Sequence, residues 1–506
     1  MIRTRSGRSE NEGKAAEMST QVVLGIDLGT QGVRILAVNP TGSIIASASE
    51  RLPLPLDQSA LPDGWVEQDA HDWWSATVAC LRSLAAKLNP AVSVAGIAID
   101  STSGTIVPLT AAQEPAGMAL MYNDVRSAEY VPLVRHAATA LEQRLGYAFN
   151  ASFALPKIVW MRHKRGDISA RTMCYIHAAD YIVGKLTGVY DVTDYSNALK
   201  TGYDLIENRW PSFIADELGI STSQLPKVVA PGQIIGNTTL QAAAETSLAS
   251  GIPVMAGATD GTAAQLASGA VEPGAWNSSL GTTLVIKGIT RELLHDPLHR
   301  IYSHRHPAGW WMPGGASNTG CEWIVRDHPD QEPALLDTLA AGHIPTGLLR
   351  YPLARTGERF PFINAQAAGF TVGRVATTDA ASTVTYAAGL EGTAYIERLA
   401  YEVLQRIGAA IGDRIHVTGG GSKSRVWLRI RASVLNRAVV RPHCSETAMG
   451  AALLAAAGCW YGALADAAKA MVRPGMSVEP DLTLVNAYDE RYKRFCEQLR
   501  LRGYLQ

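Results

Sequence analysis

Two aspartates in this chain stand where an apolar run gives way to a turn of small residues. Asp27 lies in GIDLGTQGVR and Asp260 in MAGATDGTAAQ. A carboxylate at a strand end beside a glycine turn can hold Mg²⁺ or accept a hydroxyl proton. Asp260 has a second reading, a helix N-cap, because GTAAQLA opens a helical run. Asp100, in AIDSTSGT, reads as a structural turn acid, and Ser103 in the same stretch as a loop residue able to touch a substrate.

Around these acids lie three turns suited to phosphate. Such a binder presents backbone N–H groups at close range, which calls for Gly and small hydroxyl residues. Thr30, Gln31 and Gly32 form the first turn, and Gly281, Thr282 and Thr283 in SLGTTL form the second. TGGGSKSRVW, from Thr418 to Trp427, is the third and runs into a helix whose N-terminus favours an anion or a polar ring edge. Neither GxxxxGK[ST] nor a strand-associated GxGxxG is present, so a nucleotide would need another type of site. One such turn is ordinary hairpin chemistry; three in one chain, one bearing an acid, weigh against that reading.

The elements that must position them follow from patterning. VVLGIDLG and RILAVNPTGSIIASAS read as strands around a glycine turn, and VAGIAID as a buried strand. HDWWSATVACLRSLAAKL has helical spacing, with Trp74, Thr77, Cys80 and Leu81 on one side. The stretch from about 125 to 250 reads as largely helical. IPVMAGATDGTAAQLASGA then opens a second strand–turn–helix unit, and SLGTTLVI echoes DLGTQGVRI. The pattern predicts duplicated α/β domains. Expected boundaries are a disordered tail over 1–20, a first domain over 21–265, a second over 266–490 and a closing helix over 491–506. Within the tail, Met18 is an alternative start.

Length and charge narrow the class. The 506 residues exceed one ordinary core, and 45 basic against 46 acidic residues leave a net charge of -1. That balance argues against a nucleic-acid or anionic-membrane surface. The six scattered cysteines lack ligand spacing and suit a reducing cytoplasm. The polar first residues lack a signal-peptide core, and no apolar run approaches the ~18 residues of a membrane span. His299, His304 and His306 have no carboxylate or thiol companion and do not read as a metal site. Trp73, Trp74, Trp310 and Trp311 read as packing aromatics, and YNDVR, with Asp124 and Arg126, as a solvated loop.

Taken together, GIDLGTQGVR, GWVEQDAHDWW, YNDVRS, TDYSNALKTGYD, AGATDGTAAQLASGA, SSLGTT, TGGGSKSRVW and ETAMGAALLAA resemble the FGGY family of carbohydrate kinases. The resemblance covers nearly the whole chain after the tail. It implies two actin/hexokinase-type (ribonuclease H-like) α/β ATPase domains facing a central cleft. Within the family the chain is most similar to ribulose- and xylulose-type members, D-ribulose kinase first. Two features sit apart from the pattern: Ala154 stands where a Ser, Thr or Pro usually precedes Lys157, and YNDVR keeps the Asp-x-Arg pair of xylulose kinases.

The resemblance further implies roles. Asp27 matches the phosphate-turn aspartate, a Mg²⁺ position, with Thr30, Gln31 and Gly32 near the γ-phosphate. Asp260 matches the catalytic aspartate that takes the sugar hydroxyl proton, and Ser103, Asp124 and Arg126 match the sugar side. Gly281, Thr282 and Thr283 match the second phosphate turn, and Gly420, Gly421, Ser424 and Trp427 the adenosine turn. The expected activity is ATP- and Mg²⁺-dependent phosphorylation of D-ribulose at a primary hydroxyl, in the cytoplasm. The expected partners are sugar and ATP, with neither nucleic acid nor membrane, and the sequence admits a homodimer. Alternatives are D-xylulose, then glycerol or another polyol. An actin- or chaperone-like ATPase and a sugar-binding regulator without turnover are disfavoured by the sugar-side residues and by retention of both acids.

Overall fold

The computed structural model describes residues 20–53, 61–374 and 381–505; the expectations for the tail before Thr20, Met18 included, lie outside these. The chain divides into two compact units. The first takes in the chain up to Ala267 together with His304–Gly309 and Glu446–Arg473, and the second takes in Ser268–Ser303, Trp310–Ser445 and Pro474–Gln506. Among the described residues no single helix is long and apolar enough to cross a membrane.

The first unit is built on a six-stranded sheet. Its strands are β1 (Gln21–Gly29), β2 (Gly32–Val38), β3 (Ile44–Arg51), β4 (Ser93–Ser101), β5 (Ile234–Asn237) and β6 (Pro253–Thr259), in the spatial order β5-β6-β4-β1-β2-β3. β1 pairs antiparallel with β2 and parallel with β4, and β4 pairs parallel with β6. Central parallel strands are covered on both faces, which explains the unbroken buried run from Val22 to Ile26. On β3, by contrast, Ala46 and Ala48 are buried while Ser47 and Ser49 face out, the alternation of a strand wet on one side.

Helices cover this sheet. α1 (Ala70–Ala85) is capped by Asp69, whose carboxylate accepts from the His71 N–H at 2.9 Å. Its buried face carries Trp73, Thr77, Cys80, Leu81 and Leu84. Trp74, expected on that face, is only half-buried and donates its indole N–H to Glu245 at 2.7 Å. The α-helical period selects the residue four before Thr77, not three. α2 (Ala178–Thr187) and α3 (Asp260–Ala267) complete the part used below.

The helix Thr447–Ala456 belongs to this first unit, a return that a single cut near residue 265 does not express. Its sequence, TAMGAALLAA, is small and apolar on every side, which suits a helix buried all round. A Cβ on Gly25 would fall 1.8 Å from the Ala448 carbonyl oxygen, and one on Gly450 2.0 Å from that of Ala263. Backbone therefore meets backbone at β1 and at α3, the two elements that carry Asp27 and Asp260.

The second unit repeats the scheme. β7 (Trp276–Leu280), β8 (Leu284–Gly288), β9 (Trp311–Ser317), β10 (Arg414–Thr418), β11 (Ala438–Pro442) and β12 (Pro474–Val478) run in the order β9-β8-β7-β10-β11-β12. β7 pairs antiparallel with β8 and parallel with β10, as β1 does with β2 and β4. The echo between DLGTQG and SLGTTL is thus a repeated hairpin. Against this sheet pack α4 (Ala381–Arg406) and α5 (Arg425–Leu435). A buried two-toothed ion pair joins these helices, with Arg431 Nε and Nη2 donating to Glu397 at 2.7 and 2.8 Å. The closing helix, α6 (Leu482–Leu501), starts well before the expected residue 491, where Asp481 caps it by accepting from the Thr483 N–H at 3.0 Å.

Candidate active site

The sheet of the first unit brings three carboxyl groups to one end. Asp27 on β1 is the register partner of Asp100 on β4. On the other side of β4, Ala258 of β6 pairs with Asp100, and Asp260 follows two residues later as the first residue of α3. Parallel strands end in the same direction, so the acids gather at the carboxyl edge, where α/β sheets hold their ligands. Asp27 is half-buried, and Asp260 Oδ1 accepts from the Gly261 N–H at 2.6 Å.

Asp100 departs from the sequence reading. It sits inside a strand, fully buried, and neither carboxyl oxygen has a conventional hydrogen-bond partner. Burial, followed by the charges of Asp27 and Asp260, holds its pKa well above the ordinary carboxylate range. Its surroundings therefore favour the protonated form beside Asp27. The signal in the sequence was available: GIAID ends a buried strand on an acid, as VLGID does. Taking the STSG behind it as a turn hid the likeness.

Behind Asp100 the loop Ser103–Gly104 is held by two lysines that the motifs did not single out as site residues. Lys157, wholly buried in the helix Ala154–Lys164, reaches the carbonyls of Ala151, Gly104 and Phe153 at 2.9, 3.3 and 3.3 Å. Burial and the nearby Lys200 charge lower its pKa to about 7. Lys200 donates to the Ser103 carbonyl at 3.2 Å. Ser103 Oγ is itself buried and without a hydrogen-bond partner. A lone lysine inside the apolar run FALPKIVWM is the signal that such a buried cation leaves in sequence.

A second network ties the segment before Lys200 to the strand that presents Asp260. Ser196 Oγ donates to Asp194 Oδ1 at 2.5 Å and accepts from the Thr259 N–H at 2.9 Å. Asp194 also takes the Asn197 amide at 2.6 Å, and burial pushes its pKa up to about 6 despite these donors. His177 Nε2 meets Thr201 Oγ1 at 2.8 Å, while Nδ1 meets Asp180 at 2.8 Å.

Asp124 and Arg126 are buried, not solvated as the loop reading expected. Asp124 accepts from the Val66 N–H at 2.6 Å, the Arg126 N–H at 2.9 Å and Arg126 Nε at 2.8 Å. The guanidinium also pairs with Glu67 at 3.0 Å and stacks 3.9 Å from the Trp65 ring centroid. Apolar walls on both sides turn this exposed-looking pair inward. Next in sequence, Gln68 donates to the Thr30 carbonyl at 2.9 Å and accepts from the Trp73 indole at 2.8 Å. The pair therefore fixes the strand Glu67–Gln68, which in turn holds the first phosphate turn; Gln31 at its tip is exposed.

In the second unit, Gly281, Thr282 and Thr283 link β7 to β8, with Thr282 exposed. A Cβ on Gly320 would lie 2.2 Å from the Thr282 carbonyl oxygen, so the chain supports this turn at closest range. Gly419 enters the third turn at φ +79°, where a Cβ would also strike the Leu280 carbonyl at 2.5 Å. Gly420 has open space around it. Ser424 caps α5, its hydroxyl accepting from the Trp427 N–H at 3.1 Å. Trp427, expected at the adenosine turn, is a core residue 1% exposed, its indole donating to the Leu390 carbonyl at 3.0 Å. Its part in that turn is the backbone N–H that binds Ser424.

Among the described residues no cluster of three His, Cys, Asp or Glu forms a metal cage. Mg²⁺ commonly takes one or two carboxylates and leaves its other positions to water and phosphate. The half-buried Asp27 fits that demand as a single carboxylate; its register partner Asp100 keeps two oxygens without partners but is biased by burial toward its protonated form.

Known proteins match this chain over most of its length. Residues 22–267 match the N-terminal domain of the FGGY family of carbohydrate kinases, and residues 276–459 match its C-terminal domain. A xylulose kinase of Bacillus subtilis (strain 168) is 26% identical over 479 residues, covering 92% of this chain and 94% of that protein. A xylulose kinase of Staphylococcus epidermidis (strain ATCC 12228 / FDA PCI 1200) is 27% identical over 489 residues, 94% of this chain and 96% of that protein. The crystal structure of a xylulose kinase from Rhodospirillum rubrum superposes with a TM-score of 0.83 at 27% identity, covering 95% of this chain and 98% of that one.

Proposed function

The chain belongs to the FGGY family of carbohydrate kinases, and we propose that it moves the γ-phosphoryl group of ATP to a primary hydroxyl of a five-carbon ketose, D-xylulose before D-ribulose. The motifs put D-ribulose first; relatives that are xylulose kinases reverse that order. The observation that carries the reaction is the trio of acids at one sheet edge, of which Asp100 is biased toward its protonated form.

Each acid then has its own task. Asp260 accepts the proton of the attacking hydroxyl late in the transfer. Asp27 faces the transferred phosphoryl group, and Mg²⁺, when bound there, neutralises the charge on the phosphate oxygens. Asp100, whose pKa burial and the charges of Asp27 and Asp260 hold well above the usual carboxylate range, adds less repelling charge beside them than an ordinary carboxylate would. Phosphoryl transfer has a loose transition state, so alignment and backbone dipoles supply most of the catalysis. The N–H groups of Thr30, Gln31 and Gly32 serve one phosphate turn, those of Gly281, Thr282 and Thr283 the other. Gly420, Gly421 and Ser424 hold the adenosine. Asp124 and Arg126 act on the sugar side through the loop they brace. A cytoplasmic setting, where ATP is available, suits this chemistry.

The test is ADP release in a coupled assay over D-xylulose, D-ribulose, L-ribulose and glycerol. The expected result is turnover with D-xylulose above the sugar-free rate. Turnover confined to glycerol, or none above that rate, overturns the ketose reading.

A further inference from the structure

The two lysines behind Ser103 are unequal. An ammonium group has three N–H donors. Lys157 uses all three on the carbonyls of Ala151, Gly104 and Phe153. Lys200 has a single hydrogen bond among the described residues, to the Ser103 carbonyl at 3.2 Å. The residue as a whole is partly buried: its Cδ lies 3.1 Å from where a Cβ on Gly104 would stand, and the ammonium lies 5.6 Å from the Phe153 ring centroid. Two N–H groups are thus left over on this side chain. They lie next to a buried serine hydroxyl that also lacks a partner.

We propose that Lys200 binds the substrate, donating its two remaining N–H groups to oxygens of the ketose beside Ser103. This rests on the ketose reading above and deepens it. Burial lowers the pKa of Lys200, and the charge of Asp260 opposes that fall. The segment that carries Lys200 also holds the Thr259 N–H through Ser196, so the bound sugar and Asp260 share one support. A cation held by carbonyls rather than by a carboxylate keeps its charge available to a ligand.

Two measurements test it. Lys200→Met should raise the KM for D-xylulose about ten-fold or more, leaving the KM for ATP within two-fold, and Lys200→Arg should recover part of the loss. On the unaltered protein, a pulse of acetic anhydride read by mass spectrometry should label Lys200 more slowly with D-xylulose or D-ribulose present, and no more slowly with ATP alone. Turnover with neither protection nor a change in sugar KM overturns the proposal for Lys200. Protection without turnover upholds Lys200 and overturns the kinase reading. Neither protection nor turnover overturns both.

Discussion

Asp27 and Asp100 stand opposite each other on adjacent parallel strands, and only Asp27 reaches solvent. Burial, then the charges of Asp27 and Asp260, holds the pKa of the buried partner well above the usual carboxylate range. An acid whose folded pKa exceeds its unfolded value of about 3.9 binds more protons when folded, so it lowers stability as pH rises above that value. Asp100→Asn removes this cost while keeping the shape. The melting temperature of the variant minus that of the unaltered protein should therefore grow from pH 5 to 8. A constant difference across that range counts against a neutral Asp100.

Lys157 gives the complementary case. Its pKa falls to about 7, below the ordinary lysine value, so the folded protein holds fewer protons than the unfolded chain from about pH 7 to 10. Stability contributed at this site should rise through that window and be lowest below it. Against Lys157→Met, the unaltered protein should gain relative melting temperature between pH 6.5 and 9. Loss over the same interval contradicts the buried cation described here.

Asp260→Asn should lower sugar-dependent turnover by about 10²–10⁴-fold, the span expected when a positioned base is removed. Binding of ATP, followed by calorimetry, should remain. Full activity in the variant excludes Asp260 as the base.

Asp27→Ala should raise the Mg²⁺ concentration needed for half-maximal turnover. The readout is a magnesium titration at fixed ATP and sugar. An unchanged half-saturation point removes Asp27 from the metal-holding role.

Gly25→Ala places a Cβ 1.8 Å from the Ala448 carbonyl oxygen, a backbone atom that cannot turn aside. Overpacking of this kind costs about 1–3 kcal/mol or more. The expected result is a melting temperature lower by several degrees together with lost turnover, because β1 carries Asp27. An unaltered melting curve would mean that helix and strand separate without cost.

How much of this was legible follows from where each residue gets its neighbours. Asp27 and Asp260 stood out because local pattern, strand then acid then glycine, announces both. The repeated hairpin at Gly281–Thr283 was legible for the same reason. Asp124 and Arg126 were not, since their burial is supplied by Trp65 and Trp160, which lie elsewhere in sequence. Trp427 was placed at the adenosine turn by resemblance; that its indole is buried and bonds to the Leu390 carbonyl depends on a helix distant in sequence. Lys200 lay inside a quoted motif, yet its unfilled donors exist only once Ser103 is brought to it.

The helix Thr447–Ala456 also has a consequence for how the protein is made. The first unit is begun before residue 267 and finished only when this helix arrives. On the order of 200 residues are translated in between, roughly 10–40 s at ordinary ribosomal speed. Throughout that interval the nascent sheet has Gly25 uncovered and α3 without its packing partner. Asp27 and Asp260 therefore acquire the packing of their supporting elements only near the end of synthesis.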